Sequence, residues 1–418
     1  MIRVKDIRVK IRYLFLGLVL FLSIFFYQSS SFIPTFQDKY YQTNDFGRVK
    51  LQRLSTSSSL LQTTTITSNT RYQINQDEIL NRECQYIDAV YIWLDESDSN
   101  YLKKRKEEGF ELDRNNTNDY RQLDQLKYSL RSLDTYAPWI QNIWIISDDQ
   151  IPSWYHSNEN NQKLQFISLE VLYSNRSHLP TFNRLSIESN LYNLPEQVSN
   201  CFLYFNENVV LKSPVNPTDF FDENFNQVLF ESDNVFESTL YDNLIEKGTI
   251  DDFYKSLLVS GRLLDKAWVS DNDNKDNRIH LFNSVIERGV YTFNRKILIE
   301  MSNELDQQLQ QISSQKVKLS TTDIHIPFIY NQYVKKLSSN SNNNNSNNSK
   351  YQYKVTNGFN FYGELSELST LQDAKETESK VLCLNNNLNP LDEFYNQDVE
   401  QILKYYNSIF VDPSPWEK

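Results

Sequence analysis

The chain has few cysteines. Three among 418 residues, Cys84, Cys201 and Cys383, are too few for a framework of disulfide bonds, and their odd number allows at most one internal bridge plus a free thiol. Each adjoins or lies within an apolar run, so burial as a small hydrophobic side chain is an equally good interpretation. The hydrophobic content of 39% is enough for one large core or two ordinary ones.

Acidic side chains outnumber basic ones, 54 to 42. The formal net charge of -12 argues against a nucleic-acid partner, which would require a basic face. The first twelve residues, "MIRVKDIRVKIR", are the exception, because they carry five basic side chains against one acidic one. The protein therefore has a basic tip and an acidic body.

Charge is absent altogether from residues 13–27, "YLFLGLVLFLSIFFY". Together with the flanking residues, this run is just long enough to cross a thin hydrocarbon core as a helix. It lacks an obvious small-x-small cleavage site, which favours an uncleaved anchor over a cleaved signal peptide. We therefore predict a cytosolic tail (1–12), a transmembrane signal anchor (13–31) and a single-pass type II topology, with the rest of the chain in the lumen of the secretory pathway.

Two polar segments differ from their surroundings in composition. Residues 32–83 are rich in Ser, Thr, Gln and Asn and predict a flexible lumenal stem before a folded domain over 84–418. Within that domain, "SSNSNNNNSNNS" (338–349) predicts a disordered, exposed insertion. Glycosylation sequons, which fit a lumenal glycoprotein, occur at Asn115, Asn175, Asn344 and Asn347.

Apolar runs alternate with helical patterns along the domain. Strands are predicted at "CQYIDAVYIWL", "NIWIISDD", "LQFISLEVL" and "CFLYF". A helix is predicted at about 119–135, because leucines recur there at three- and four-residue spacing, and further helices at "TFNRLSIESNLYNL", "DDFYKSLLVSGRLLDKAW", "FNRKILIEMSNELDQQLQQI" and the C-terminal "VEQILKYYNSIF". Strands that alternate with helices predict a parallel sheet with helices on both faces.

Polar residues follow three of the predicted strands. The first strand ends in "LDESDSN", the second in "SDDQ" and the fourth in "NENV". Any one of these sets is more often a turn or a helix cap than a site. The carboxyl ends of parallel strands meet at one sheet edge, where ligands bind in α/β proteins. Three sets at that edge therefore predict a functional site.

Several longer blocks resemble the Stealth family of hexose-1-phosphotransferases. The blocks are "DAVYIWLDESD", "DQLKYSLRSLDTYAPWIQNIWIISDDQIPSW", "HLPTFNRLSIESNLYNL" and "CFLYFNENVVL", with weaker likeness at "DIHIPF", "VLCLNNN" and "IFVDPSPWEK". The resemblance implies an α/β fold with a Rossmann-like, glycosyltransferase-type parallel sheet flanked by helices, here carrying an N-terminal transmembrane anchor and placed in the Golgi.

The resemblance also implies a reaction. A sugar-1-phosphate, expected to be N-acetylglucosamine-1-phosphate, would pass from a UDP-sugar donor to a hydroxyl of an acceptor glycan or glycoprotein, with release of UMP. Mg²⁺ or Mn²⁺ is the implied cofactor. Charge must then be stabilised on the phosphoryl oxygens and on UMP, and the acceptor hydroxyl needs a base.

The family's motif can be carried over to four positions. In the family, the element at "FNENV" is an Asn followed by two Asp, and a Glu on the preceding helix helps to form the site. Asn206 is retained for substrate binding, Glu207 replaces one Asp as a catalytic residue and metal ligand, and Asn208 replaces the other as a metal ligand. Glu188 matches the helix Glu and is expected to be catalytic. An amide at position 208 should weaken the binding of a hard cation.

Five further residues are expected at the site because of the resemblance. His325 in "HIP" keeps the spacing of the family's His-x-Pro element and is expected to be catalytic, although a lone His is more often structural. Asp95, Asp98, Arg131 and His178 are expected to bind substrate. For Arg131 the expectation is a contact with phosphate or one that anchors the helix, and a solvated helix face is the alternative.

Three functions stay open at this point. The first is an active sugar-1-phosphotransferase. The second is a weakened or inactive paralogue that binds glycan or sugar nucleotide, since Glu96 stands where the family has Gly and "CLNNN" lacks the usual Asp. The third is an ordinary glycosyltransferase, whose product would be a glycoside and not a phosphodiester. The donor sugar, the acceptor and the oligomeric state, a homo-oligomer included, stay open as well.

Overall fold

The computed structural model of the protein describes most of the predicted domain. The described residues are 84–110, 123–157, 162–232, 251–268, 285–317, 323–342, 352–365, 369–386, 388 and 392–417. The predicted cytosolic tail, anchor and stem lie outside them, as do the sequons at Asn115, Asn344 and Asn347. Within the described residues, no helix has both the length and the apolar character needed to span a membrane.

The strands and helices alternate for the first half of the domain. The strands are β1 (Ile87–Ile92), β2 (Ile143–Ser147), β3 (Leu164–Ser168), β4 (Cys201–Phe205), β5 (Val209–Leu211), β6 (Gln227–Ser232), β7 (Val285–Ile286), β8 (Tyr291–Asn294), β9 (Tyr353–Thr356), β10 (Asn360–Glu364) and β11 (Val381–Asn385). The helices are α1 (Ser99–Glu107), α2 (Gln125–Tyr136), α3 (Leu169–Leu172), α4 (Arg184–Glu188), α5 (Asp252–Trp268), α6 (Arg295–Glu304), α7 (Asp306–Ser313), α8 (Ile326–Asn342), α9 (Ser369–Glu376) and α10 (Tyr395–Ile409).

The central sheet is mostly parallel, as predicted. Its strand order is β3-β2-β1-β4-β8, in which the first four strands run parallel and β8 pairs antiparallel with β4. All residues of β1, β2 and β4 are buried, which explains their near-continuous apolar sequences. Because β1 lies between β2 and β4, the three predicted polar strand ends are neighbours at one edge.

Two smaller sheets were not predicted. One has the order β10-β11-β5 and the other the order β7-β6-β9. Strand β5 follows β4 after only three residues and pairs antiparallel with β11. The turn at residues 206–208 therefore connects two sheets, and its position is constrained from both sides.

Several predicted element boundaries were wrong. The run predicted as one strand, "LQFISLEVL", is β3 followed by α3, because the Ser168 side chain caps a helix by accepting a hydrogen bond from the Glu170 amide. The helix predicted over 181–194 is the short α4 followed by a 3₁₀ turn (Leu191–Asn193). The long helix predicted at 293–312 is divided into α6 and α7 at Leu305, whose φ of -109° and ψ of 25° depart from helical values.

Two other helices differ from expectation at one end only. Helix α2 begins at Gln125, and residues 119–122 of the predicted helix lie outside the described residues. Helix α8 continues to Asn342, so the first five residues of the predicted disordered insertion, 338–342, are helical. In this last turn the Ser339 hydroxyl donates to the Lys335 and Lys336 carbonyl oxygens at 3.1 and 3.0 Å. Composition alone missed the extension because an established helix propagates more easily than it starts.

The amino ends of β1 and β4 are joined covalently. Cys84 and Cys201 form a disulfide across a sequence separation of 117 residues, with their Cα atoms 5.1 Å apart. Cys383 on β11 is a free, buried cysteine. The open question of cysteine pairing is thereby answered with one bridge and one thiol. The bridge lies at the end of the sheet opposite the polar strand ends, since Cys201 is the first residue of β4.

A buried carboxylate reinforces the same end of the sheet. Asp88 on β1 is fully buried and accepts four hydrogen bonds. Its donors are the Trp144 indole at 2.8 Å, the Ser199 amide at 2.8 Å, and the backbone and side-chain amides of Asn142 at 3.0 and 3.3 Å. Such saturation is what allows an acidic group to stay in a core. Asp88 thus ties three segments together beneath the site.

Candidate active site

The turn after β4 is held by an arginine from helix α4. Arg184, the first residue of α4, donates from NH2 to Glu207 Oε1 at 2.6 Å and from NH1 to Asn206 Oδ1 at 3.2 Å. NH1 also donates to the Ile92 carbonyl oxygen at 3.1 Å. One guanidinium thus links the carboxyl ends of β1 and β4. Burial alone would lower the pKa of Arg184, but Glu207, Tyr204 and Glu188 together outweigh burial, so the net shift is upward.

Glu188, at the other end of α4, is the most unusual acid in this region. Its side chain is buried, with 6% of the residue exposed, and Oε1 accepts a hydrogen bond from the Tyr204 hydroxyl at 2.8 Å. Burial raises the pKa of Glu188 to about 7, against smaller opposite effects of the Tyr204 bond and the Arg184 charge. A carboxyl group that titrates near neutral pH can exchange a proton with a substrate.

Tyr204 couples Glu188 to the turn. Its hydroxyl lies 2.8 Å from Glu188 Oε1 and 3.2 Å from Asn206 Oδ1, and its single proton can serve either oxygen. Burial, followed by the Glu188 charge, raises the pKa of Tyr204 well above its ordinary value. Tyr204 is therefore a neutral donor whose bond depends on the charge of Glu188.

Aromatic contacts connect His325 to Tyr204, the hydrogen-bond partner of Glu188. Its ring packs edge-on against Tyr291 at a centroid distance of 5.7 Å, and Tyr291 in turn stacks on Tyr204 at 6.3 Å. Nδ1 accepts the Phe328 amide at 3.1 Å, so the neutral ring carries its proton on Nε2. Burial and then the charge of Arg288 lower the pKa of His325 to about 3. The imidazole is therefore neutral at physiological pH and acts as a hydrogen-bond donor at Nε2.

The two predicted metal ligands differ in their availability. Glu207 Oε2 is buried and has no hydrogen-bond partner among the described residues. The Asn208 side chain, in contrast, hydrogen-bonds the Cys383 thiol. No group of three His, Cys, Asp or Glu side chains is close enough to enclose a metal in the described part of the chain. Glu207 fits a Mg²⁺ that substrate phosphates complete, because such ions often keep only one or two carboxylates. Asn208 acts on the Cys383 thiol through an amide N–H, since it lowers the pKa of that thiol, and its amide oxygen is not used in that contact.

A cavity of about 440 Å³ opens at the ends of β1 and β2. Six of its lining residues are Trp93, Asp95, Asp98, Lys104, Asp148 and Gln150. The Gln150 side chain bonds the backbone of Asp95 in both directions, at 2.9 and 2.8 Å, and Lys104 pairs with Asp148 at 2.7 Å. Glu188, Glu207 and His325 do not line this cavity. The cavity and the network are connected through the chain, since the lining residue Trp93 directly follows Ile92, whose carbonyl oxygen accepts a hydrogen bond from Arg184.

The remaining predicted substrate-binding residues have structural partners. Asp98 caps α1 by accepting from the amides of Asn100 and Tyr101, and Asp95 accepts from Ser97. Arg131 makes a two-pronged ion pair with Glu417 at 2.7 and 2.6 Å and also donates to the Phe410 carbonyl oxygen, and these contacts anchor the helix. His178 is bonded at both ring nitrogens, to Asn175 at 3.0 Å and to Ser313 at 2.8 Å.

The structure thus brings together part of the predicted set. Glu188, Asn206 and Glu207 share one hydrogen-bonded network, and His325 lies beside it. Asp95 and Asp98 line the neighbouring cavity, while the contacts of Arg131 and His178 are with other segments. Sequence reasoning missed Arg184, Arg288 and Tyr291. For Arg184 the signal was its position four residues before Glu188, on the same helix face.

The family model described as Stealth protein CR2, conserved region 2, matches residues 119–229. An exopolysaccharide phosphotransferase of Streptomyces coelicolor is 26% identical over 342 residues, which is 79% of this chain and 57% of that protein. A second one from the same organism is 39% identical over 138 residues, 32% of this chain and 22% of that protein. The mouse N-acetylglucosamine-1-phosphotransferase subunits alpha/beta are 37% identical over 107 residues, 26% of this chain and 8% of that protein.

These alignments leave much of each relative unmatched, since the chain spans 57% or less of the length of these three proteins. Among solved structures, the galactosyltransferase LgtC, in complex with donor and acceptor sugar analogs, matches 79% of this chain and 99% of its own at 13% identity and a TM-score of 0.34. That likeness is too low to support a conclusion. Residues 119–229, which include Arg184, Glu188 and Glu207, match the Stealth conserved region 2, and the family resemblance predicted from the sequence is confirmed.

Proposed function

We propose that the chain transfers a sugar-1-phosphate, with N-acetylglucosamine-1-phosphate as the first candidate, from a UDP-sugar to a hydroxyl of an acceptor glycan. The hydroxyl oxygen bonds to the β-phosphorus, and the bond from that phosphorus to the bridging oxygen breaks. UMP leaves with the electron pair, and the hydroxyl proton passes to a base. The observation that carries the proposal is the buried Glu188, with a pKa of about 7, beside the Arg184–Glu207 pair in a Stealth conserved region 2.

Glu188 is the proposed base. An ordinary carboxylate is too weak a base to take a proton from an attacking hydroxyl at neutral pH, and the raised pKa brings Glu188 closer to the value that general-base catalysis favours. Tyr204 keeps the carboxyl group oriented through its 2.8 Å bond. His325 is then better suited to donate from Nε2 to a phosphoryl oxygen than to act as a base, because its pKa is lowered and Nδ1 is already bonded.

Glu207 is the proposed protein ligand for a cation bound with the substrate. Its Oε2 atom is buried without a described partner, while Oε1 is fixed by Arg184. Bound Mg²⁺ or Mn²⁺ would supply charge neutralisation for the donor phosphates and for UMP. Glu207 would hold and orient that ion, and Arg184 would hold Glu207.

An inactive, substrate-binding paralogue is the second candidate function. It is favoured by Asn208, an amide that leaves Glu207 as the sole carboxylate of the turn. Such a protein would bind sugar nucleotide or glycan without turnover. Cation affinity is the property that separates a weakened site from a lost one.

Turnover can be tested with the full-length protein, labelled UDP-sugars, mannose-terminated acceptors and Mn²⁺ or Mg²⁺. The proposal expects UMP and a phosphodiester product. Release of UDP with a glycoside product would identify an ordinary glycosyltransferase instead. Binding of UDP-sugar without release of either nucleotide would support the inactive paralogue.

Glu207→Gln should raise the metal concentration needed for half-maximal UMP release at least about tenfold, a loss that is typical even of outer-shell partners of a metal. The substitution removes the one charged ligand and also weakens the bond from Arg184. Asn208→Asp should lower the same concentration, because it adds an anionic oxygen to the turn. Asn224→Asp, in an exposed turn, is the matched control for added charge. UMP release with the native metal dependence in Glu207→Gln would contradict this assignment.

We also propose a single-pass type II protein with its domain in the lumen of the Golgi or another secretory compartment. The bridge between Cys84 and Cys201 supports this, because disulfides persist in oxidising compartments. Protease added to sealed microsomes should leave everything beyond residue 32 intact and should digest it once detergent is added. Digestion of the domain before detergent would contradict the topology.

A further inference from the structure

Arg288 has an unusual environment next to the site. It lies in the loop between β7 and β8, and its Cζ atom is 4.2 Å from the ring centroid of Phe253 on α5 and 4.0 Å from that of Tyr362 on β10. The ring of Tyr254 is 5.6 Å away, so three aromatic rings surround the guanidinium carbon and restrict its movement. Aromatic rings do not occupy the N–H donors as oxygen acceptors do, so those donors are left for ligands.

Most of that edge is not used by the described protein. An arginine has five N–H donors, and in the described part of the chain Arg288 makes one side-chain hydrogen bond, from NH2 to Asp251. Its side chain is nevertheless only 14% exposed. Arg184 and Arg131 differ, because each donates to three described oxygens or more. Of these three arginines, Arg288 therefore has the most N–H donors that the described residues do not use.

The loop that carries Arg288 is fixed on both sides of it. The Glu287 carboxylate accepts from the Gly358 amide at 2.6 Å and from the backbone and side-chain amides of Asn360 at 3.2 and 3.1 Å. Gly289 lies so close to Asn360 that a Cβ atom there would be 2.1 Å from Asn360 Oδ1. A side chain on such a loop is held in place before any ligand arrives, which reduces the entropy lost on binding.

Electrostatic effects show which groups Arg288 faces. Its charge lowers the pKa of His325 in the same sense as burial does, and it opposes the upward shift that burial gives to the pKa of Tyr291, Tyr362 and Cys383. Glu207 acts on Cys383 as well, in the opposite direction. Arg288 and Glu207 therefore both lie near Cys383, and they carry opposite charges.

We propose that Arg288 binds the phosphate oxygens of a nucleoside diphosphate sugar through the guanidinium edge that Asp251 leaves open. The inference deepens the proposed function, on which it rests, by assigning the anion-binding residue. A guanidinium that aromatic rings hold in place, with N–H donors not used by the described residues, is suited to paired phosphate oxygens, which arginine binds bidentately. Arg288 would then bind the negatively charged diphosphate, and Glu207 would bind the cation that accompanies it.

The test is the binding of UDP to the full-length protein, measured by calorimetry with Mg²⁺ and again with EDTA. Arg288→Gln should raise the Kd for UDP by about 10- to 100-fold in both conditions, as expected for the loss of charge-assisted hydrogen bonds. The Asp251→Asn variant should bind UDP at least as tightly as the native chain, because the substitution removes only the carboxylate that competes with phosphate for Arg288. Arg176→Gln, on the surface with 69% of its side chain exposed, is the matched control and should leave the Kd unchanged.

Two results would overturn the proposal. The first is a Kd for UDP in Arg288→Gln equal to that of the native chain. The second is an equal rise of the Kd in Arg288→Gln and in Asp251→Asn, which is expected if the two residues form a purely structural ion pair. If Arg288→Gln does not fold, Arg288→Lys takes its place; it keeps the charge without the planar fork and should weaken UDP binding by roughly threefold to tenfold. Native UDP binding in Arg288→Lys, or no binding of UDP by the native chain, would also overturn it. Absence of UMP release with UDP bound through Arg288 would refute the proposed reaction alone.

Discussion

Glu188→Gln should lower UMP release by about 10²- to 10⁴-fold, the usual contribution of a general base. Glutamine has nearly the shape of glutamate, and its Oε1 can still accept the bond from Tyr204. What it cannot do is take a proton from the acceptor hydroxyl. In the native protein, kcat/KM should therefore rise with pH through about 7, where Glu188 becomes ionised, and the variant should lack this rise.

The same substitution should stabilise the fold at high pH. Burial raises the pKa of Glu188 from 4.5 to about 7, so the folded state favours the protonated form. This contribution to stability is present below pH 4.5 and is lost as pH rises through about 7. Above that pH the buried charge costs about 3 kcal/mol, a cost that the neutral glutamine avoids.

Urea unfolding at pH 5 and pH 8 measures the effect. The free energy of unfolding of Glu188→Gln should exceed the native value at pH 8 and approach it at pH 5. Glu170→Gln is the control, since that side chain is 65% exposed on the surface. Loss of stability at pH 8 together with loss of activity would indicate damage to the fold and contradict a catalytic role. Activity within tenfold of native would exclude Glu188 as the base.

The double substitution Cys84→Ala/Cys201→Ala should lower the free energy of unfolding by about 4 kcal/mol, near the top of the usual range for a disulfide. The bridge closes a loop of 117 residues, and long loops lose the most chain entropy in the unfolded state. It also joins the two strands at the middle of the central sheet, where Cys201 pairs with Ile87. Urea unfolding of both proteins without reductant measures the difference.

Cys383→Ala is the matched control for this experiment. It also removes a buried sulfur, but no bridge, and should cost no more than about 1.5 kcal/mol. Because the bridge lies at the opposite end of the sheet from Glu188, the folded double variant should keep its UMP release per folded molecule. A double variant as stable as the native protein, or one that is fully folded and inactive, would contradict these expectations.

The sequence predicted the centre of the fold well because its strands are buried on both faces. Strands such as β1 then appear as continuous apolar runs, and the polar residues at their ends could be assigned to one edge. The smaller sheets were missed because β5 and β7 are only three and two residues long, too short for a period to show. Leu305, where one predicted helix becomes two, carries no Gly or Pro signal.

The site was predicted where a local motif existed and missed where it did not. Glu188, Asn206 and Glu207 belong to two short blocks, and the structure places them within one network. The environment of Arg288 depends on Phe253 and Tyr362, which come from distant parts of the chain. The pKa shift of Glu188 depends on burial, and the Glu itself is no different in sequence from an exposed one.

The close approach of Gly289 to Asn360 has an evolutionary consequence. A hydrogen atom is the largest substituent that position 289 tolerates while Asn360 occupies its present place, since an added Cβ would meet the amide at 2.1 Å. Substitutions at the two positions should therefore be correlated. A larger residue at 289 requires a smaller one at 360, and replacing the Asn360 side chain removes its hydrogen bond to Glu287 and the one that it accepts from the Val290 amide. Since Gly289 is the neighbour of Arg288 in the chain, we expect a change at either position alone to displace Arg288, and the two positions to vary together.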